Sequence, residues 1–173
     1  TWSSSGRKTN QQIQSFNQGI DPTFEQLPDK STKIFSGAAV DPSCRNQRSL
    51  KIRTIKKKEA GANFLQTQIV MDRNCLANFC NEISNPIEIP VIAGVFLLKS
   101  YKNALFINKF VPGANIPENV LNRLKDAKNP LQEGILIASE QAQDFINIAD
   151  GIHLMAVKSE HLIPEILEKA GLN

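Results

Sequence analysis

The sequence predicts an α/β fold, a parallel sheet covered by amphipathic helices, on three observations. Short apolar runs and helical patterns alternate along the 173 residues, strand then helix, four times over, with an extra helix pair before the last strand. The run Val91 to Leu98 is nearly all apolar, as a strand buried on both faces requires. Ile135, Ala138, Ala142 and Phe145, with Ala149 next in the series, keep the spacing of one helix face. Four such units fall short of an eight-stranded barrel, which takes about 250 residues. The pattern fits a small open α/β sheet or half of a barrel, and the residues alone leave both open.

Taken in order, residues 1–33 form a polar N-terminal segment rich in Ser, Gln, Asn and Asp. Thr1 to Gln12 is expected to be disordered, and Ile13 to Leu27 has room for a short helix before Pro28. Residues 34–173 are regular. Ile34 to Val40 reads as a strand rich in small residues, closed by Asp41-Pro42. Leu50, Ile52 and Ile55 among basic residues make Ser49 to Ala60 a helix, with Gly61 as its stop. Phe64 to Val70 is a strand by length and composition. Asp72 caps a helix reaching about Ser84, and Pro86 stops it. Pro90 introduces the strand Val91 to Leu98, after which Ser100 caps a helix to about Phe110. Pro117 suits the first turn of a helix to about Lys128. Glu133 to Ile148 follows as a helix, then Gly151 to Val157 as the fourth strand. Ser159 opens the last helix, His161 to Ala170, and Gly171 ends it.

Charge excludes some partners. A formal net charge of +3 without an Arg-rich stripe argues against nucleic acid and against an anionic membrane surface. The N-terminus has no apolar stretch of the secretory kind, and Ile89 to Leu98 falls well short of the roughly 20 residues of a membrane helix. Cys75 and Cys80 lie five apart in a helix turning about 100° per residue, so they face apart. With Cys44 they are expected to be reduced thiols of a cytoplasmic protein, binding no metal.

Gln66 and Gln68 carry the most informative chemistry. They share parity on one strand, so both amides point to the same side. An amide at the C-terminal end of a barrel strand can donate to and accept from a pterin or flavin edge. Alternatively, it holds a neighbouring loop. Arg53 and Lys57 are four apart and share a helix face that could grip a phosphate. Cations at a helix C-terminus also simply complement its dipole. His153 reads as a core histidine inside the last strand, and His161 as exposed near a helix start. There is no Ser-His-Asp order, no metal-ligand spacing, no glycine-rich phosphate loop and no evident general acid.

Three segments together resemble methylenetetrahydrofolate reductase: KKKEAGANFLQTQIVMD (Lys56 to Asp72), IPVIAGVFLLKSYKNALFINKFVPGANIP (Ile89 to Pro117) and GIHLMAVKSEHL (Gly151 to Leu162). The resemblance runs from about Ile34 to the C-terminus. It implies a TIM-barrel type (β/α)8 fold of which this chain supplies about the last four βα units, a half-barrel. It also implies noncovalent FAD, with NADH or NADPH as reductant of 5,10-methylenetetrahydrofolate. By the same resemblance Gln68 and Asn103 meet the folate. Lys57, with Lys56 and Arg53, meets the ribityl and phosphate portion of the flavin, and Asp41 lies in a loop, Gly37 to Pro42, that lines it. The sequence departs from the family in places. Asp41 stands where many relatives have His, Ile107 where an aromatic stacks on folate, and Ser159, beside Lys158, where an Arg lies near the folate tail.

The family's catalytic carboxylate and its flavin-tuning Asp fall on early strands, so no catalytic residue is expected within this chain. Its chemistry is then expected to need the N-terminal half of the same barrel. A second reading is a non-catalytic half-barrel that binds ligand or pairs with itself as a homo-oligomer. A third is another pterin-binding barrel enzyme, such as a folate-dependent methyltransferase.

Overall fold

A computed structural model describes residues 2–28 and 31–172; Thr1, Asp29 and Lys30 of the polar segment, and Asn173, lie outside it. The chain begins with a helix, α1 (Trp2–Asn17), where the sequence points to disorder through Gln12. Its anchors are polar and distant in sequence, which is why composition hides them. Gln14 donates to the Gly61 carbonyl at 3.1 Å, and the Asn17 amide both accepts from the Ile34 N–H (2.8 Å) and donates to the Ile34 carbonyl (2.9 Å). The helix expected over Ile13 to Leu27 ends at Asn17. Gly19 then turns with φ +81°, and Ile20 bridges Gln26 across a loop closed by Asp21. Hydrogen bonds from Glu25 and Thr23 hold the Asp21 carboxyl below its ordinary range.

Four strands follow: β1 (Gly37–Val40), β2 (Phe64–Ile69), β3 (Val91–Phe96) and β4 (Gly151–Met155). They pair in parallel in the order β1-β2-β3-β4. Six helices lie between and after them: α2 (Gln47–Glu59), α3 (Arg73–Phe79), α4 (Tyr101–Phe110), α5 (Glu118–Asp126), α6 (Pro130–Phe145) and α7 (Ile163–Lys169). Local signals explain most ends. Asp72 accepts from the N–H groups of Asn74 and Cys75, Ser100 from Asn103 and Asn129 from Gln132. The helix expected to run to Ser84 is α only to Phe79. It widens into a π turn (Cys80–Ser84) and then tightens over Asn85–Ile87, where Pro86 cannot donate. Every strand is shorter than its apolar run: β1 starts later, and β2, β3 and β4 end earlier.

The two faces of the sheet differ. Ala38, Val40, Leu65, Val91, Ala93 and Val95 point into one core with Leu50, Leu76, Phe79, Ile135, Phe145 and Ile166 from the helices. The opposite face carries Ala39, Phe64, Gln66, Gln68, Ile92, Phe96, His153 and Met155, and these range from half-buried to exposed. The strands are thus not buried on both faces, as continuous apolarity suggested. β2 alternates half-buried and buried, and His153 is exposed rather than a core histidine. A second core joins Leu98, Ala104 and Ile107 to Val120, Leu121 and Leu124 across α4 and α5.

Two close approaches shape the sheet. Between Gln66 and Ile69 the pairing with β3 slips, and the Thr67 hydroxyl accepts the Gly94 N–H at 2.8 Å in place of a ladder partner. Gly94 permits this because a Cβ there would stand 2.8 Å from the Gln68 carbonyl oxygen. In α6, a Cβ on Gly134 would stand 1.8 Å from the Leu98 carbonyl oxygen. Helix and strand end therefore touch backbone to backbone.

Candidate functional site

The C-terminal ends of β1 and β2 open onto a cavity of about 430 Å³, lined by Ala39, Asp41, Cys44, Arg53, Lys57, Gln68 and Gly113 among others. α2 supplies its cations. Arg53 and Lys57, one turn apart, both turn toward β1, as their spacing predicts. The Arg53 guanidinium donates to the Cys44 sulfur at 3.0 Å and to the Ser49 carbonyl at 3.2 Å. Lys57 donates to the Ala39 carbonyl. Burial pushes the Lys57 ammonium below its ordinary range, and the charges of Arg53 and then Arg7 push the same way. Asp41 accepts from the Ser43 N–H at 2.9 Å. Its other oxygen sits close to Gly113, whose φ of +83° and nearness to Asp41 both favour the absence of a side chain.

A second cavity, about 460 Å³, lies on the open face of the sheet. Gly37, Ala39, Phe64, Gln66, Gln68, Phe96 and Met155 are among its lining residues. Gln68 lines both cavities. Its amide makes no hydrogen bond among the described residues, whereas the Gln66 amide nitrogen lies 2.7 Å from Nδ1 of His153. Two glutamines of the same strand and parity therefore differ: one is held by protein, the other is free to meet a ligand.

Other residues singled out in the sequence lie elsewhere. Lys56 points to solvent and lines neither cavity, since one residue along a helix turns it about 100° from Lys57. Asn103 lines neither; its side chain accepts the Lys99 N–H at 3.1 Å and helps close the start of α4. Ile107 is 3% exposed inside the second core, where no ring can stack on it. Ser159 is buried at a tight turn, and Lys158 is exposed with its N–H given to Glu160. The rings that do line the open-face cavity are Phe64, at the start of β2, and Phe96, half-buried at the end of β3. The parity of Phe96 with Ile92 is visible in the sequence, but an all-apolar run hides which parity faces outward.

Cys44, Cys75 and Cys80 are free thiols, and burial pushes those of Cys75 and Cys80 upward. Among the described residues no group of three or more His, Cys, Asp or Glu side chains could hold a metal ion. No described helix is long and apolar enough to cross a membrane.

The family model described as methylenetetrahydrofolate reductase matches residues 33–171. The chain belongs to the methylenetetrahydrofolate reductase family. A curated relative, "Methylenetetrahydrofolate reductase 2" of Schizosaccharomyces pombe, is 30% identical over 132 residues, covering 68% of this chain and 20% of that protein. The chain thus spans about a fifth of the length of this reductase. A solved structure of similar fold is an uncharacterized protein from Clostridium thermocellum, described as binding two copies of 5-methyl-5,6,7,8-tetrahydrofolic acid. It superposes with a TM-score of 0.57 at 17% identity, covering 84% of this chain and 53% of that one. The reductase-family match leaves out α1, so Arg7, which acts on Lys57, comes from a segment outside it.

Proposed function

We propose that this chain is the C-terminal half of a (β/α)8 barrel that reduces 5,10-methylenetetrahydrofolate to 5-methyltetrahydrofolate, using FAD and NADH or NADPH. Sequential strand order supports the half-barrel, as do one open sheet face and a β1 and a β4 that each pair on one side only among the described residues. A doubly wound sheet would instead reverse its strand order and cover both faces.

The observation that carries the ligand reading is the free Gln68 amide between the two cavities, with two cations on one side of it. The donor set fits the proposed groups. Lys57 gives one proton to Ala39, leaving two for a phosphate, and Arg53, with two of its five N–H groups given to Ser49 and Cys44, has three left. Asp41 suits the hydroxyls of a ribityl chain. Bound FAD supplies the hydride carrier between nicotinamide and folate. Gln68 orients the pterin by donating and accepting on one edge, while Phe96 and Met155 exclude water from that part of the open face. None of the side chains lining the open-face cavity is acidic, which supports a proton donor for the folate on the other half of the barrel.

A folate-binding module without redox chemistry is the second reading, favoured by the ligand of the Clostridium thermocellum protein. The test is Gln68→Ala in the complete enzyme. Folate turnover should fall roughly tenfold to a hundredfold, the value of one buried amide hydrogen bond, while NAD(P)H oxidation by a small electron acceptor is spared. Equal loss in both half-reactions would make Gln68 structural, and absence of any flavin chemistry would favour the second reading.

A further inference from the structure

His153 has no place in the site described above, yet it is tied to it. It is exposed on β4 and pairs in register with Gly94 of β3, while Gln66 of β2 pairs with Ile92 of the same strand. A whole strand separates the two side chains. They meet across it at 2.7 Å, on the face where β3 sets Gly94 beside His153. Gln66 lines the open-face cavity and His153 does not.

A primary amide has two ends of opposite polarity, the carbonyl that accepts and the NH2 that donates. An amide with no fixed neighbour presents either. Here the amide nitrogen faces the imidazole, so Nδ1 accepts and the Gln66 carbonyl oxygen is the end left for the cavity. We infer that His153 sets the hydrogen-bond polarity of the open-face cavity by holding Gln66 with its carbonyl toward the ligand, selecting a ring that offers an N–H at that point. The ligand class is a heteroaromatic ring with a ring N–H or exocyclic amino edge. This rests on the proposed reading that a pterin or flavin ring occupies the open face. His153 is a positioning residue, acting through Gln66.

A carboxylate accepts at both ends, so it needs no partner to orient it, and this gives a rescue experiment. The dissociation constant of 5-methyltetrahydrofolate is measured for the complete protein and its variants. His153→Phe should weaken binding roughly three- to tenfold, since Gln66 then spends part of its time reversed and unfastened. Adding Gln66→Glu to His153→Phe should bring affinity back to within about twofold of wild type. Gln66→Met should lose affinity and be insensitive to a further His153→Phe. His153 is exposed, so His153→Phe should keep the wild-type melting temperature. An affinity untouched by His153→Phe, or a folded double variant that is not rescued, overturns the inference. A second readout needs no ligand: the side-chain amide resonances of Gln66 in isotope-labelled protein should shift on His153→Phe, and unshifted resonances overturn the inference. If they shift while wild-type protein fails to bind 5-methyltetrahydrofolate, the amide polarity stands and the folate reading falls.

Discussion

Lys57 carries a charge into a place that disfavours it. Burial and two neighbouring arginines lower its proton affinity, and its protein partner is a carbonyl rather than a carboxylate. A bound phosphate would offset all three effects at once. Lys57→Ala is therefore expected to weaken FAD retention about tenfold or more, the value of a hydrogen bond to a charged group. Flavin release on dilution would rise, and salt would raise it further. Lys56→Ala, one residue away and exposed, should leave flavin content unchanged; equal loss in both would return the lysine run to a solvated helix face. Residue spacing made the Arg53 and Lys57 pair legible, because four residues nearly complete a helical turn. It could not separate Gln66 from Gln68, since the partner that distinguishes them, His153, lies 87 residues further along the chain. Nor does spacing show that the Asn103 side chain is engaged at the start of α4, where it accepts the Lys99 N–H.

At the scale of elements, the order of strands and helices was legible and their ends less so. Ser100 and Asp72 announce their helices because a cap is a local interaction, complete within three residues. The ordered α1 was not legible, since its anchors at Gly61 and Ile34 are tertiary. Nor was the slip in β2, which depends on Gly94 of a neighbouring strand. The tightest element contact is α6 against the end of β3, where the Leu98 carbonyl occupies the space beside Gly134. Alanine has the better helix propensity, so on local grounds Gly134→Ala should stabilise α6. Backbone contact reverses the sign. The substitution is expected to destabilise by about 1–3 kcal/mol or more, as overpacking does. Urea denaturation would show a lower midpoint at unchanged slope; a raised midpoint would mean that α6 can shift away from Leu98.

The whole molecule is a sheet with work left on two edges and one face. Among the described residues β1 and β4 each pair with a strand on one side only, and Phe64, Ile92 and Phe96 sit partly in the open on the uncovered face. Such edges recruit strands. The isolated chain is accordingly expected to self-associate, to bind FAD weakly and to show no reductase activity. The sequence left open sheet and half-barrel equally open, because periodicity reports that a strand is apolar, not which sheet will cover it. On the proposed reading the cover is the N-terminal half of the same barrel, which would also bring the proton donor that the open-face cavity lacks. The most direct measurement mixes this chain with a separately produced N-terminal half and follows bound-flavin absorbance and 5,10-methylenetetrahydrofolate reduction together. Both should appear on mixing and be absent from either half alone. A monomeric, cooperatively folding 173-residue chain that reduces the folate unaided would contradict the account.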